Sequence, residues 1–393
     1  MNRRLLFYAF ALLVILVSIT GCRKEVQYEY EPLQKPDYDR QLAPGQNALV
    51  RITDPSRLPD FGAAAWDLKD VRACIDRSLS YMAKGSSRLY FPVSGIEHQQ
   101  VIDSLTEFAS LLDQGYIGER LNHAIIERFD VYESVGCDNY GTVLFTGYYT
   151  PIFDGSLKRT SRFKYPLYKK PDDLEKDMYG NVKTPYPPRA EIESSGMLKG
   201  TELVWLSDPF EVYIAHVQGS AKIRLANGEL VGVGYAANNG HEYKSISQVL
   251  IDDGRITKSQ LSLSSMIDYF KRNPDLVDRY TAANPRFVFF MFQDGDPRGS
   301  LNEPVTPMRT IATDKSIFPR AGITFITANL PQALSTGETV TSPYSGFMFD
   351  QDTGGAIRAP GRCDVYMGIG DEAGRLAGQV YQEGKLYYLI LKR

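Results

Sequence analysis

The sequence predicts an α+β chain, helical at first and mainly β afterwards, with barrel-like or sandwich-like β parts. Three observations carry this. Helical periodicity is confined to residues 68–129. Beyond about residue 138 the apolar runs shorten to strand length, apart from short helices in the middle. The regular alternation of strand and helix that builds a parallel sheet is absent.

In the helical part, Leu68, Val71, Cys74/Ile75, Leu79 and Met82 recur at three- and four-residue steps, and Gly85 follows as a stop. Cys74 lies on this apolar face and reads as a buried small hydrophobe. A second helix carries Val101, Leu105, Phe108 and Leu112 and stops at Gly115; a third carries Leu121, Ile125 and Phe129. His98 precedes the second helix and His123 falls off the third stripe, so both are expected at the surface. Residues 142–149 read as a strand running into Pro151. Residues 155–200, rich in Pro, Tyr, Lys and Gly, hold short strands at best. Residues 204–206 and 211–217 read as strands, and 222–225 and 230–235 flank Asn227-Gly228, a strong hairpin signal. Short helices are expected at 245–251 and 260–271. Strands return at 287–292, 310–313, 323–326, 346–351, 363–367 and 385–391.

Composition narrows the function. The 393 residues allow two or three domains, and a formal net charge of −3 supplies no basic field for nucleic acid. Four His and four Cys are scattered, with no Cys-x-x-Cys or His-x-x-x-His pair, so no metal site is expected. Tyr is abundant, at 25 residues against two Trp. Such a surface suits polar, ring-shaped ligands, although β-rich core and rim use Tyr too.

Residues 1–21 read as a secretory signal. Arg3 and Arg4 open it, an apolar stretch from Leu5 to Val17 is too short to span well, and Ile19-Thr20-Gly21-Cys22 resembles a bacterial lipobox. Cys22 is then the lipidated first residue. Arg23 is not the Asp that tends to retain lipoproteins in the inner membrane, so the expected location is the periplasmic side of the outer membrane. Residues 22–47 are polar and Pro-containing, a tether. Cys74, Cys137 and Cys363 allow at most one disulfide.

Three constellations could carry chemistry. The densest is Asp350-Gln351-Asp352-Thr353-Gly354-Gly355-Ala356-Ile357 followed by Arg362-Cys363-Asp364-Val365-Tyr366-Met367-Gly368. Asp is disfavoured within a strand, and a carboxylate placed there among apolar neighbours is held partly protonated, as a general acid must be. The same residues also read as turn aspartates satisfied by backbone N–H groups. Asp371 follows in what reads as a Gly-rich loop. The second constellation is Thr146-Gly147-Tyr148-Tyr149, where one Tyr can face a groove while the other packs, and the Gly admits a ligand or another backbone. The third is Gln218-Gly219-Ser220 with Asn238-Asn239-Gly240-His241: donors and acceptors suited to sugar hydroxyl and N-acetyl groups, or ordinary hairpin turn chemistry. No Gly-x-Ser-x-Gly elbow accompanies His216 or His241, and no P-loop or dinucleotide fingerprint occurs.

At these blocks the chain resembles the membrane-bound lytic murein transglycosylase A family. The match is carried in order by residues 145–149, by 218–220 with 234–246, by 284–290, and by Asp352-Thr353-Gly354-Gly355-Ala356-Ile357…Asp364-Val365-Tyr366, which resembles that family's 3D module. The resemblance implies a double-psi β-barrel domain with a smaller inserted β-rich domain and a groove between them. It divides the chain into a helical region with the first part of the barrel at 48–149, an insert at 150–285 and the rest of the barrel at 286–393. It implies cleavage of the β-1,4 MurNAc–GlcNAc bond of peptidoglycan with 1,6-anhydromuramyl ends, without cofactor or metal. Asp364 matches the catalytic acid and Asp352 its companion, with Asp371 and Asp350 both matching a third acidic position. Thr146, Gly147, Tyr148, Tyr149, Gln218, Gly219, Ser220 and Asn239 would line the glycan site. The implied partners are peptidoglycan glycan strands and, through the anchor, the outer membrane; protein partners in cell-wall synthesis or division are not assigned. An inverting hydrolase on the same barrel and a non-catalytic, expansin-like wall-binding protein are the rival expectations. Three departures from the family pattern bear on loop geometry: Glu242 stands where Pro is usual, residues 301–309 are less Gly-rich than usual, and Ala359 stands where Gly is usual.

Overall fold

The computed structural model describes residues 36–257, 263–334 and 336–393. The signal, Cys22, most of the tether and the start of the helix expected at 260–271 lie outside the described residues.

The chain opens with strand β1 (Leu49–Arg51) and three helices, α1 (Val71–Met82), α2 (His98–Asp113) and α3 (Gly118–Arg128). Strands β2 (Phe129–Ser134) and β3 (Val143–Thr150) follow. A second run holds β4 (Ile152–Ser156), β5 (Tyr165–Tyr168), α4 (Arg189–Ser195), β6 (Glu202–Leu206), α5 (Pro209–Gln218), β7 (Ser220–Arg224) and β8 (Leu230–Asn238). It continues through α6 (Ser247–Asp252), α7 (Leu263–Arg272), α8 (Val277–Thr281) and β9 (Val288–Phe292). The last run is β10 (Thr310–Ala312), β11 (Ile323–Ala333), β12 (Thr339–Asp352), β13 (Arg362–Ile369), α9 (Gly370–Ala377) and β14 (Tyr381–Leu391).

The fold is mainly β with helices at the start, as expected. One sheet runs β1-β2-β14-β11-β12-β10-β13-β3, and a further β14–β3 pairing closes six of its strands into a barrel. Within the barrel β13 runs parallel to β3 and β10 parallel to β12; the other pairings are antiparallel. The helical layer packs on this sheet: Phe108 of α2 meets Phe347 of β12 with ring centroids 5.2 Å apart, edge to face. The other sheet runs β5-β6-β4-β7-β8-β9 around a separate core that includes Leu167, Val204, Ile214, Ile223 and Phe290. Its β7–β8 hairpin turns at Asn227-Gly228, with Gly228 at φ 85°.

Several local expectations are corrected. Residues 211–217 are helix, not strand. Their alternating apolar pattern is overruled by the helix start before them, where Asp208 accepts a 2.7 Å hydrogen bond from the Phe210 N–H and Pro209 sits at the first turn. Phe129 begins β2 instead of ending the third helix. His98 is not at the surface: it is buried at the first turn of α2, with Nε2 2.7 Å from Ser87 Oγ and its ring edge-on to Phe91. Its helix begins there because Glu97 and Gln100 form a capping box. His123 is exposed, as expected. The Gly-rich loop at Asp371 is the start of α9. Cys74, Cys137 and Cys363 are all buried free thiols.

Candidate active site

The site is built on the parallel pair β3–β13. The register sets Asp364 beside Thr146 and Tyr366 beside Tyr148. Residues two apart on a strand share a face, so these four side chains stand together. The alternate residues Phe145, Cys363 and Val365 are buried in the barrel core.

Asp364 is partly buried and accepts a hydrogen bond from the Thr146 hydroxyl. Burial pushes its carboxyl up to about 6; nearby Asp352 adds to the rise and Arg362 opposes it. Arg362 itself is drawn toward Asp39, 3.3 Å from its guanidinium. Asp352 sits at the end of β12 and is held by three donors: the Tyr148 hydroxyl at 2.9 Å, the Ser300 N–H at 2.8 Å and the Thr353 N–H at 2.8 Å. Burial raises its pKa as well, against those donors and Lys315. Tyr148 is raised well above its ordinary value by burial and by Asp352, so it serves as a neutral donor. Its ring lies 5.1 Å from that of Tyr366, whose hydroxyl is 3.0 Å from Thr150 Oγ1. Thr150 Oγ1 is in turn 3.3 Å from Ser220 Oγ, at the start of β7.

The remaining expected residues take varied positions. Gly147 is pressed against α9: a Cβ there would lie 2.8 Å from Ala377 Cα, so the close approach it permits is to another backbone. Tyr149 faces the core, and its ring occupies the space a Cβ on Gly374 would need. Gln218 ends α5, where its side-chain oxygen accepts from the Tyr149 N–H at 3.1 Å and ties the second sheet to β3. Gly219 is the left-handed cap of that helix at φ 75°. Asn239 is fully buried; its amide donates to the Pro187 and Pro285 carbonyls and accepts from the Phe287 N–H, all within 2.9 Å. It clamps the loops beside the second sheet. Asp371 is exposed on α9. Asp350, the other claimant for the third acidic position, is wholly buried, ion-paired to Lys315 and bonded to Thr313 and Tyr388.

Sequence reasoning passed over Tyr366, Thr150 and Ser300. The alternation that placed Asp364 also places Tyr366, two residues on. Ser300 contributes only its backbone N–H, which residue type does not announce. Cys363 has its thiol pushed far up by burial, which fits a packing neighbour and not a nucleophile. Ala359 keeps a left-handed backbone at φ 72° where the family pattern has Gly, and its N–H donates to Asp314 at 3.0 Å. Among the described residues no group of three or more His, Cys, Asp or Glu side chains is arranged to hold a metal ion. Nor is any helix among them long and apolar enough to cross a membrane.

Comparison with known proteins identifies the family and the fold. The MltA specific insert domain matches residues 144–291 and the 3D domain matches residues 309–390. The membrane-bound lytic murein transglycosylase A of Escherichia coli (strain K12) is 33% identical over 263 residues, covering 66% of this chain and 69% of the relative. The Vibrio cholerae protein of the same name is 32% identical over 261 residues, covering 65% and 68%. Among solved structures, E. coli MltA with bound chitohexaose superposes with a TM-score of 0.67 at 26% identity, covering 92% of this chain and 98% of that one. A membrane-bound lytic murein transglycosylase from Agrobacterium tumefaciens shares the fold with a TM-score of 0.71 at 24% identity, covering 88% and 98%. The chain belongs to the membrane-bound lytic murein transglycosylase A family.

Proposed function

We propose that the chain is a lytic transglycosylase that cleaves the β-1,4 MurNAc–GlcNAc bond of peptidoglycan and leaves a 1,6-anhydromuramyl end. The single observation that carries this reading is Asp364, a strand carboxyl raised to about 6 beside a neutral hydroxyl donor. At mildly acidic pH about half of such a group is protonated and half ionised, so it can serve as acid and then as base. As acid it gives its proton to the glycosidic oxygen while the bond to C1 of MurNAc breaks and its electron pair leaves with the GlcNAc oxygen. As base it takes the proton of the MurNAc C6 hydroxyl, which attacks C1 from within the same sugar. Intramolecular attack has a large advantage over attack by water, and Asp364 ends protonated again, holding the C6 hydroxyl proton in place of the one given to the leaving group.

Asp352 fits the companion role. Three donors engage its oxygens, which suits a fixed negative pole near the developing oxocarbenium charge better than a base that must hold a water. Tyr148 and Ser220, both partly exposed, offer a ring and a hydroxyl to the sugars, while the buried Tyr366 and Thr150 back them. The chitohexaose held by the E. coli relative supports a glycan as ligand. Cys22 as lipid anchor and the periplasmic side of the outer membrane as location complete the proposal; Cys22→Ala is expected to release the protein from the membrane fraction.

The test is the mass of the soluble products from purified sacculi. Anhydro-ended muropeptides are expected, and Asp364→Asn is expected to abolish them while the protein stays folded. Products heavier by one water would replace this reading with a hydrolase, and no soluble product with retained sacculus binding would replace it with a wall-binding protein.

A further inference from the structure

Beside the proposed active site lies an open cavity of about 340 Å³, floored in part by Tyr366. Its far wall comes from α1 and from the loop before β10, and it carries charge: Asp70, Arg77 and Asp296. Asp70 and Asp296 are exposed, and neither carboxylate has an ion-pair or side-chain hydrogen-bond partner among the described residues. Arg77 has no carboxylate partner among them either; its guanidinium donates to the Thr306 hydroxyl in the wall. Asp296 and Tyr366 line the same cavity, so the charged wall adjoins the proposed active site.

A glycan backbone of N-acetyl sugars is neutral and has no use for two free carboxylates and a guanidinium. The charged part of a peptidoglycan strand is the peptide carried on each muramyl lactyl group, with free carboxylates and, at a diamino acid, a free ammonium. A volume of about 340 Å³ lies in the range of small-ligand pockets and takes two to three amino-acid residues. A divalent cation is the competing ligand for paired acids, but Asp70 and Asp296 have no third acidic or imidazole ligand beside them among the described residues.

We infer that this cavity is a peptide-stem site, in which Asp70 and Asp296 take the stem's ammonium and Arg77 a stem carboxylate. The site makes the enzyme prefer peptide-bearing to bare glycan. This rests on the transglycosylase reading above, of which it names a substrate feature.

The experiment compares the wild type with the Asp70→Asn/Asp296→Asn double variant. Asn tolerates the left-handed backbone of residue 70, at φ 62°, and melting temperature checks the fold. The substrates are glycan chains with intact diamino-acid stems, the same chains with the stem amine acetylated, and chains stripped of peptide by an amidase. The readout is the ratio of kcat/KM on intact to stripped chains. The wild-type ratio is expected to exceed one and to fall about tenfold in the variant, the size of one exposed charge-assisted contact. Acetylating the amine is expected to produce the same fall in the wild type. A ratio unchanged by both the variant and acetylation overturns the stem site. Absence of anhydro products from every substrate overturns the transglycosylase reading instead, and direct binding of the free stem peptide to the wild type, lost in the variant, keeps the two failures apart.

Discussion

Two acids of the barrel, Asp350 and Asp364, stand in regions that treat the same side chain in opposite ways. In the barrel interior Asp350 is wholly buried, but Lys315, Thr313 and the Tyr388 hydroxyl supply a counter-ion and donors for both oxygens. On the β3–β13 face Asp364 is less enclosed, but among the described residues it receives only the Thr146 hydroxyl; Arg362 opposes its rise while itself ion-paired to Asp39, and Asp352 adds to it. Burial alone therefore does not make an acid reactive. The number and sign of its partners decide whether a carboxylate is a fixed strut or a proton carrier.

The largest test of this contrast is Asp364→Asn. Loss of the general acid is expected to lower kcat by roughly 10³-fold or more, with the melt unchanged; product release from sacculi against a thermal scan separates the two. Asp350→Ala should do the reverse. It leaves the Lys315 charge buried and unpaired, at a cost of about 3–5 kcal/mol in stability by denaturant titration, and any activity lost follows the unfolded fraction. An Asp350→Ala protein of wild-type stability would break the comparison.

Tyr148→Phe sharpens it on the reactive side. It removes one of three donors to Asp352 and is expected to lower kcat about tenfold, with little change in melting. The pH profile follows from the direction of the Asp364 shift. The acid must be protonated, and its carboxyl is raised to about 6, so kcat/KM is expected to fall about tenfold per pH unit above that value. A flat profile to pH 8 would remove Asp364 from the acid role.

The smallest effect lies in the second sheet's domain. Glu211 on α5 has one carboxylate oxygen buried without a partner, and burial with Asp208 nearby pushes it up to about 7. The folded pKa is raised, so this cost is absent below the ordinary Glu value, grows as pH rises from there to about 7, and is full above it. Glu211→Gln is expected to stabilise by about 1 kcal/mol at pH 8, discounted for partial exposure, and to do nothing at pH 4.

The strands that build the site were legible because they obey simple alternation: residues 142–149 and 363–367 each gave one apolar face and one face of Thr, Tyr and Asp. Asp364 stood out as a carboxylate in a strand. What was not legible depended on contacts distant in sequence. By residue type Asn239 and Gln218 suit sugar groups or turn chemistry alike, and the structure shows both bonded to protein backbone that only folding brings near. The helix at 209–218 is announced by Asp208-Pro209, but the β-branched and aromatic residues after the cap mimic the alternation of a strand. Which of Asp350 and Asp371 is buried could not be told without Lys315, which no motif includes.

The closure of the barrel has a temporal consequence. Strand β3, which carries Thr146 and Tyr148, is made early, but its barrel partners are β13 and β14, more than 200 residues later in the chain. Until residues 381–391 have emerged from the ribosome, β3 lacks its neighbour on one side, and Asp364 has no closed barrel to desolvate it. The surroundings of the proposed acid are therefore complete only once the last strand of the chain is in place.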